Sequence, residues 1–227
     1  MPGLIILTLM EAKLLFIGHY GAGLLLKRYA PYTSLGTLMF AALWVDILWS
    51  VFLLSGIERA RITSSVTEAA PIVFEYYPFS HSLMAVIFWA VVFAVICRLL
   101  RGRFSTALAL GVGVLSHWLL DAIVHVSDLP IGFGGLTFVG LGLRQFPLAA
   151  AAVEGTLFVI GIASYLRFTR PLDGAGLYGM WAFAGLLFVL YAAQFAASSP
   201  PSVTVMAYAT LAQLLLIIFG GWVDRGR

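Results

Sequence analysis

Long apolar stretches separated by short polar connections dominate the sequence. A membrane-spanning helix needs about 20 mainly apolar residues, because each residue advances the helix by about 1.5 Å. Seven stretches meet this requirement, and each is predicted to form a helix that crosses a bilayer. They cover residues 3–26, 36–56, 80–100, 104–126, 146–167, 175–197 and 202–223.

The connections between these stretches also follow a pattern. Turn residues occupy the short ones, such as Pro31 after the first stretch and Pro200-Pro201 after the sixth. Residues 57–79 and 127–145 form longer connections, and the second is rich in glycine. The N-terminal segment has no basic n-region and no small-residue cleavage site, so we expect it to be retained as a span. The pattern predicts an all-α polytopic membrane bundle, a single domain of residues 1–227.

Positive charges are distributed unevenly over the two ends of the predicted spans. One end carries three basic residues, Arg59, Arg61 and Arg144, and the other carries nine. Basic residues concentrate on the cytoplasmic side of membrane proteins. The bias predicts a cytoplasmic C-terminus, with the N-terminus and both longer connections outside, in the periplasm if the source is a Gram-negative bacterium. The nine are Lys27, Arg28, Arg98, Arg101, Arg103, Arg167, Arg170, Arg225 and Arg227.

Composition agrees with a membrane protein. The 227-residue chain is 62% hydrophobic and 10% charged, with a mean hydropathy of +1.01. A soluble domain carries about 25% charged residues, so a soluble enzyme, a nucleic-acid-binding module and a disordered chain are all excluded. The single cysteine, Cys97, excludes an intrachain disulfide and any cysteine-built metal site. We expect membrane lipids as neighbours and no nucleic-acid partner, and the oligomeric state stays open.

Ionisable side chains inside the predicted spans are the candidate functional residues, because each costs about 2.5–3.5 kcal/mol on insertion scales. Most of them fall within about ten residues, or 15 Å, of an outer span end. His19 is the exception, since the predicted span 3–26 puts it on the inner half. These residues are Glu11, Lys13, His19, Asp46, His81, His117, Asp121, His125 and Glu154.

The fourth span contains a polar stripe. His117, Asp121 and His125 are spaced four residues apart and share one helix face. His and Asp at this spacing can bind one metal ion, but the two histidines lie about 12 Å apart along the axis. Either Asp121 bridges two ions or one histidine acts otherwise, for example in proton transfer. His81 is the natural ligand from a neighbouring helix, and Asp46 is either a ligand or the carboxylate that orients one.

Other polar residues have structural interpretations too. Glu11, Lys13 and Glu154 are each as well explained by a hydrogen bond to a neighbouring helix. Glu58, Arg59 and Arg61 are expected to form a solvated face at a span end, although they lie on the same side as the stripe and could cap it. Arg144, beside glycine-rich backbone, is a candidate contact for an anion.

The order of these residues resembles a family of bacterial inner-membrane proteins described as metal-dependent hydrolases. The resemblance covers about residues 15–170, and it rests on segments 18–21 (Gly-His-Tyr-Gly), 77–82 (Tyr-Pro-Phe-Ser-His-Ser) and 116–121 (Ser-His-Trp-Leu-Leu-Asp), together with Asp46. The family's carboxylate usually lies in an Asp-x-Asp context, whereas Ile47 and Leu48 follow Asp46 here. The resemblance implies a multi-pass helical fold in the inner membrane. It also implies a divalent metal site at His19, Asp46, His81, His117 and Asp121.

The leading hypothesis is a hydrolase of a lipid or lipid-linked ester or phosphoester at the outer leaflet. Zinc, or alternatively manganese, would activate water. Asp46 or Glu154 would orient ligands or act as general base, and His125 would protonate the leaving group. Arg144 or Arg61 would hold a phosphate.

Three other classes remain open at this point. The first is a proton-coupled carrier, whose relay groups should continue to the inner side of the membrane. The second is a b-type cytochrome with His81 and His117 as axial ligands. The third is a non-catalytic subunit of a membrane complex.

Overall fold

The computed structural model describes residues 16–62, 72–101, 103–134, 137–196 and 202–227, and it is mostly helical. The helices in chain order are α1 (Ile17–Leu26), α2 (Leu35–Ala42), α3 (Trp44–Leu54), α4 (Pro78–His81), α5 (Leu83–Arg101), α6 (Phe104–Val124), α7 (Pro147–Phe168), α8 (Gly174–Ala196), α9 (Val203–Leu211) and α10 (Gln213–Arg225). Two short hairpins join them, β1 (Arg59–Ile62) with β2 (Ile72–Tyr76), and β3 (Leu129–Pro130) with β4 (Phe138–Val139).

The described residues contain five helical segments long and apolar enough to cross a membrane, and a sixth if α2 and α3 are counted as one bent span. These segments coincide with six of the seven predicted stretches, so the prediction of a mostly helical fold with several helices able to span a membrane is confirmed. The remaining stretch, residues 3–26, is described only in its last part, as the 10-residue α1. Glu11 and Lys13 lie outside the described residues.

The predicted span 36–56 is not one straight helix. Helices α2 and α3 meet at Leu43 with a bend of 57°. Sharp helix bends commonly occur where a side chain intrudes on the backbone hydrogen-bond ladder, and the Ala42 carbonyl at this break accepts a hydrogen bond of 2.8 Å from His117 Nδ1. The break therefore joins the backbone of α2 to α6.

Helices α1 and α7 pack with their backbones almost in contact. A Cβ atom built on Gly21 would lie 2.7 Å from the Leu157 carbonyl oxygen, and one on Gly161 would lie 2.5 Å from the Gly21 carbonyl oxygen. Small residues permit this spacing between membrane helices. The close contact holds the start of α1 beside the buried Glu154 of α7.

A group of buried polar side chains, which we call the Lys27 network, joins four helices. Lys27 Nζ lies 2.6 Å from Asp224 Oδ2, and the Tyr165 hydroxyl donates to Asp224 Oδ1 at 2.7 Å. The Leu35 amide also donates to Asp224, and Lys27 donates to the Thr33 carbonyl. The network ties the end of α1 to α2, α7 and α10.

The two hairpins lie in the longer connections, 57–79 and 127–145, where the sequence predicts no strands. They pack on each other through a cluster of buried side chains that also takes in helices α3 and α9. Its buried members are Trp49, Ile72, Tyr77, Leu129 and Met206. The hairpins therefore cover the end of the bundle at which α4 begins and α6 ends.

Candidate metal centre

Five buried or half-buried side chains from four helices converge at one point, and we call them the His/Asp cluster. Its centre is His117, whose Nε2 atom lies 3.3 Å from Asp121 Oδ2 and 3.6 Å from Asp46 Oδ1. The cluster comprises His19 of α1, Asp46 of α3, His81 of α4, and His117 and Asp121 of α6.

Two histidines from other helices complete the cluster. His81 Nε2 lies 3.7 Å from Asp46 Oδ1 and 3.7 Å from Asp121 Oδ2. His19 Nε2 lies 3.4 Å from Asp121 Oδ1, and its ring meets the His117 ring edge-on at 4.0 Å. His19, His117 and Asp121 form one group of converging ligand atoms, and Asp46, His81 and His117 form another. These buried groups can hold a metal ion.

The tautomer of His117 follows from its partner on the other side of the ring. A carbonyl oxygen only accepts, so the Nδ1 atom that faces the Ala42 carbonyl must carry a proton and donate. In a neutral imidazole this leaves Nε2 with a lone pair. That lone pair faces the two carboxylates, and Nε2 has no hydrogen-bond partner among the described residues.

The tautomer of His81 is set by a chain of two hydrogen bonds. The Ser80 hydroxyl donates its one proton to Glu58 Oε2 at 2.6 Å. Ser80 Oγ must then accept from His81 Nδ1, which lies 2.8 Å away. In a neutral imidazole, His81 Nε2 is therefore also a lone pair aimed at Asp46 and Asp121.

The cluster thus places acceptors against acceptors. Two imidazole lone pairs and two carboxylates converge in a buried site, where unpaired acceptors carry a large desolvation penalty. A cation between them, either protons on the imidazoles or a metal ion, removes the conflict. Hydrogen bonds that fix the far nitrogen of each ring are typical of histidines that bind metals.

Glu58 was expected on a solvated face, and this expectation is wrong. Its side chain is buried, with the residue 1% exposed. The reason is the start of helix α4, where the amides of Phe79 and Ser80 both donate to Glu58 Oε1. A carboxylate at a helix N-terminus satisfies amides that have no partner within the helix. The alternative, that Glu58 caps the site, stays a prediction.

We predict that Glu58→Gln weakens zinc binding by about 10- to 100-fold, the usual effect of losing a group that orients a metal ligand. The glutamine NH₂ would donate to Ser80 Oγ, so the serine proton would turn to His81 Nδ1 and move the imidazole proton to Nε2. Zinc titration with a competing chelator measures the affinity. The control is Glu75→Gln, which changes an exposed carboxylate on β2. An unchanged dissociation constant for Glu58→Gln in folded protein would contradict the relay.

The His/Asp cluster opens onto a cavity of about 530 Å³. His19, Asp46, His81 and Asp121 all line it, whereas most of the remaining wall is apolar. This volume is in the range of small-molecule binding sites. The apolar wall is formed mainly by Phe16, Trp49, Ile72, Phe74, Val124, Leu190, Leu215 and Leu216.

A second polar group, the Asp128 triad of His125, Asp128 and Arg144, lies at the same cavity. Asp128 Oδ1 lies 3.0 Å from His125 Nδ1, and Arg144 Nη2 donates to Asp128 Oδ2 at 2.8 Å. His125 and Arg144 line the cavity, while the Tyr77 hydroxyl donates to the Asp128 carbonyl. Burial opposes ionisation of Asp128, but His125 and Arg144 outweigh it and hold the pKa of this carboxyl below its ordinary value.

A lowered carboxyl pKa stabilises the fold above the pKa of the unfolded chain, about 3.9, and that stabilisation is lost as the pH falls through the folded-state pKa. We therefore expect Asp128→Asn to be less stable than the wild type at pH 7 by about 1.5–3 kcal/mol, the range for hydrogen bonds to charged groups. This difference in unfolding free energy between the wild type and Asp128→Asn should become smaller as the pH falls below about 4. Thermal unfolding in detergent from pH 7 to pH 3 measures it. A gap that does not change with pH would contradict this assignment.

The remaining predicted residues take separate positions. Glu154 is buried on α7, where the backbone of Ile17 and Gly18 hydrogen-bonds its carboxyl, and Oε2 has no partner among the described residues. It does not line the cavity. Arg61 pairs with Glu75 on the surface of the β1–β2 hairpin, at 3.1 Å, and it does not line the cavity either.

His19 is not displaced from the other ligands, contrary to the depth expected from the span 3–26. Within the described residues α1 begins at Ile17, so His19 falls in its first turn and reaches Asp121. Sequence reasoning also missed Ser80 as a relay and two cavity-lining glutamines, Gln194 and Gln213, whose side chains have unpartnered buried atoms. Uncharged polar residues near span ends gave no signal that could single these out.

No family model, no curated protein and no solved structure matches this chain.

Proposed function

We propose that the protein is a metal-dependent hydrolase of the membrane, acting on an ester or phosphoester with an apolar chain. One observation carries this proposal. Two histidines, each with Nδ1 engaged as a donor, present Nε2 to two carboxylates at the wall of a largely apolar cavity. The proposal agrees with the resemblance to inner-membrane metal-dependent hydrolases.

Zinc is the proposed ion, because imidazole and carboxylate ligands in a small coordination set suit it well. Manganese is the alternative. His81, His117 and Asp121 would hold the ion and leave a position open for water, with His19 at the adjoining position on Asp121 and Asp46 beside His81 and His117. When bound, zinc supplies a Lewis acid and a water nucleophile near neutral pH.

The residues around the cluster have distinct roles in this proposal. Asp46 is the more exposed of the two carboxylates, with its side chain 23% exposed against 11% for Asp121. It is therefore placed to take a proton from the attacking water. Water adds to the phosphorus or carbonyl carbon, the ester bond breaks, and the leaving oxygen takes the Nε2 proton of His125, which enters the reaction as the imidazolium. Asp128 orients the His125 ring for this transfer through Nδ1.

The proposed placement in the membrane has seven spans, an external N-terminus and a cytoplasmic C-terminus, in a bacterial inner membrane. The support is the bias of nine basic residues against three between the two ends of the spans. In this orientation the hairpins and the cavity face the outer leaflet. A substrate would enter from the lipid rather than from the cytoplasm.

The direct test is the metal content of purified protein by elemental analysis, before and after reconstitution with zinc. We expect close to one ion per chain in the wild type and a loss of that ion in Asp121→Ala. Asp173→Asn is the matched control. Asp173 directly precedes helix α8, and its Oδ1 accepts a hydrogen bond from the Gly176 amide. An asparagine side chain can accept the same bond. Folded wild-type protein that takes up no metal would overturn the proposal.

A proton-coupled carrier is the second candidate, favoured by one observation. The Lys27 network is a further buried charged group, on the inner side in the proposed orientation. Its donors and acceptors are satisfied by one another, however, which is typical of a structural ion pair. Proton uptake by proteoliposomes separates the two functions, because a carrier that holds no metal would still acidify the interior of the vesicles.

A further inference from the structure

We infer that the cavity binds an apolar chain that carries a phosphate, with the phosphate held by Arg144 and His125 beside the His/Asp cluster. This inference names the substrate class of the proposed hydrolase, and so rests on that function for the reaction. The binding itself depends on the cavity wall and the Asp128 triad. It can therefore be tested without metal.

Arg144 supplies the first argument. Among the described residues that line the cavity, it is the one side chain with a permanent positive charge. Its side chain is 14% exposed, and Nη2 pairs with Asp128. A guanidinium carries five N–H donors in a planar fork, a geometry that matches phosphate oxygens. Nη2 is the nitrogen that pairs with Asp128, so a phosphate can accept from the remaining N–H groups of the guanidinium.

His125 supplies the second argument. It follows the last turn of α6, and its Nδ1 is engaged by the same carboxylate that holds Arg144. The ring packs on Phe74 at 5.3 Å between centroids, so its orientation is fixed from two sides. One carboxylate thus positions two cavity-lining groups, of which Arg144 always donates to an anion and His125 donates through Nε2 in its imidazolium form.

The wall of the cavity supplies the third argument, because it excludes free phosphate as the preferred ligand. Phe16, Leu190, Leu215 and Leu216 line it, and together they come from the start of α1 and from helices α8 and α10. Inorganic phosphate would leave this surface without a partner. A phosphate ester of an alkyl chain covers this surface, and each methylene that it buries there favours binding.

The test is calorimetric titration of chelator-treated, metal-free protein in detergent with four probes. These are octyl phosphate, octanol, octyltrimethylammonium and inorganic phosphate. We expect octyl phosphate to bind at least about 10-fold more tightly than any of the others, a difference of about 1.4 kcal/mol. The comparison needs no variant, so it does not depend on whether a substitution folds.

Two variants then locate the phosphate. Arg144→Gln should weaken octyl phosphate binding about 10-fold and leave octanol binding unchanged. Arg59→Gln, which removes an exposed charge from the β1 strand at the same end of the bundle, should alter neither. Equal binding of octyl phosphate and octanol would overturn the inference, as would tighter binding of inorganic phosphate than of octyl phosphate. If octyl phosphate binds as expected but the protein holds no metal, this inference stands and the hydrolase proposal falls.

Discussion

Replacement of Asp224 by alanine is expected to lower the free energy of unfolding by about 3–5 kcal/mol, the usual effect of leaving one member of a buried ion pair alone. Three donors depend on this carboxylate, namely Lys27 Nζ, the Leu35 amide and the Tyr165 hydroxyl. The Lys27 side chain is only 8% exposed, so water cannot replace the lost partner. Reversible unfolding in mixed detergent micelles measures the change.

Two comparisons make the Asp224 prediction specific. Arg225→Ala alters the next residue, which is exposed, and should change the unfolding free energy by less than about 0.5 kcal/mol. Lys27→Met combined with Asp224→Leu should recover part of the lost stability, because removing both charges leaves no unpaired ion. If Asp224→Ala were as stable as Arg225→Ala, the Lys27 network would have no role in stability.

The second large effect is expected at His117. Zinc present at a thousand times its dissociation constant should raise the unfolding free energy of the wild type by about 4 kcal/mol, as mass action requires for a ligand that binds the folded state. His117→Ala should lose this increment, because both groups of converging ligand atoms contain His117. Thermal unfolding with and without zinc measures this increment in both proteins. The rate of octyl phosphate hydrolysis is measured for the same two proteins.

A neighbouring variant controls for damage to helix α6. Ser116→Ala changes the adjacent residue, whose hydroxyl donates to the Gly113 carbonyl within its own helix. This variant should keep the full stabilisation by zinc. A zinc effect that survives in His117→Ala would show that the metal binds elsewhere on the protein.

Most of the helices could be predicted from the sequence, because long apolar runs have few alternatives in a membrane. The convergence of Asp46, His81, His117 and Asp121 was also accessible, since intramembrane ionisable groups at one depth are expensive unless they meet. The spacing of His117 and Asp121 placed both on one face of α6. Their contact at 3.3 Å agrees with that expectation.

The environment of each ligand was not accessible from the sequence. Glu58 looks like one residue of a charged segment, and only the fold shows that it accepts two amides and the Ser80 hydroxyl. No proline or glycine lies at the break at Leu43, so the sequence does not predict a bend there. The Ala42 carbonyl at this break accepts a hydrogen bond from His117, which lies far along the chain. The hydrophobic periodicity of residues 36–56 therefore does not predict the bend.

The order of synthesis gives the Lys27 network a further consequence. All five residues of the His/Asp cluster lie at or before position 121, whereas Asp224 lies about 100 positions further along the chain. A nascent chain therefore carries a complete ligand set while Lys27 still waits for its counter-charge. Only a chain translated through helix α10 satisfies both, so the Lys27 network couples stable packing of α1 to the synthesis of α10.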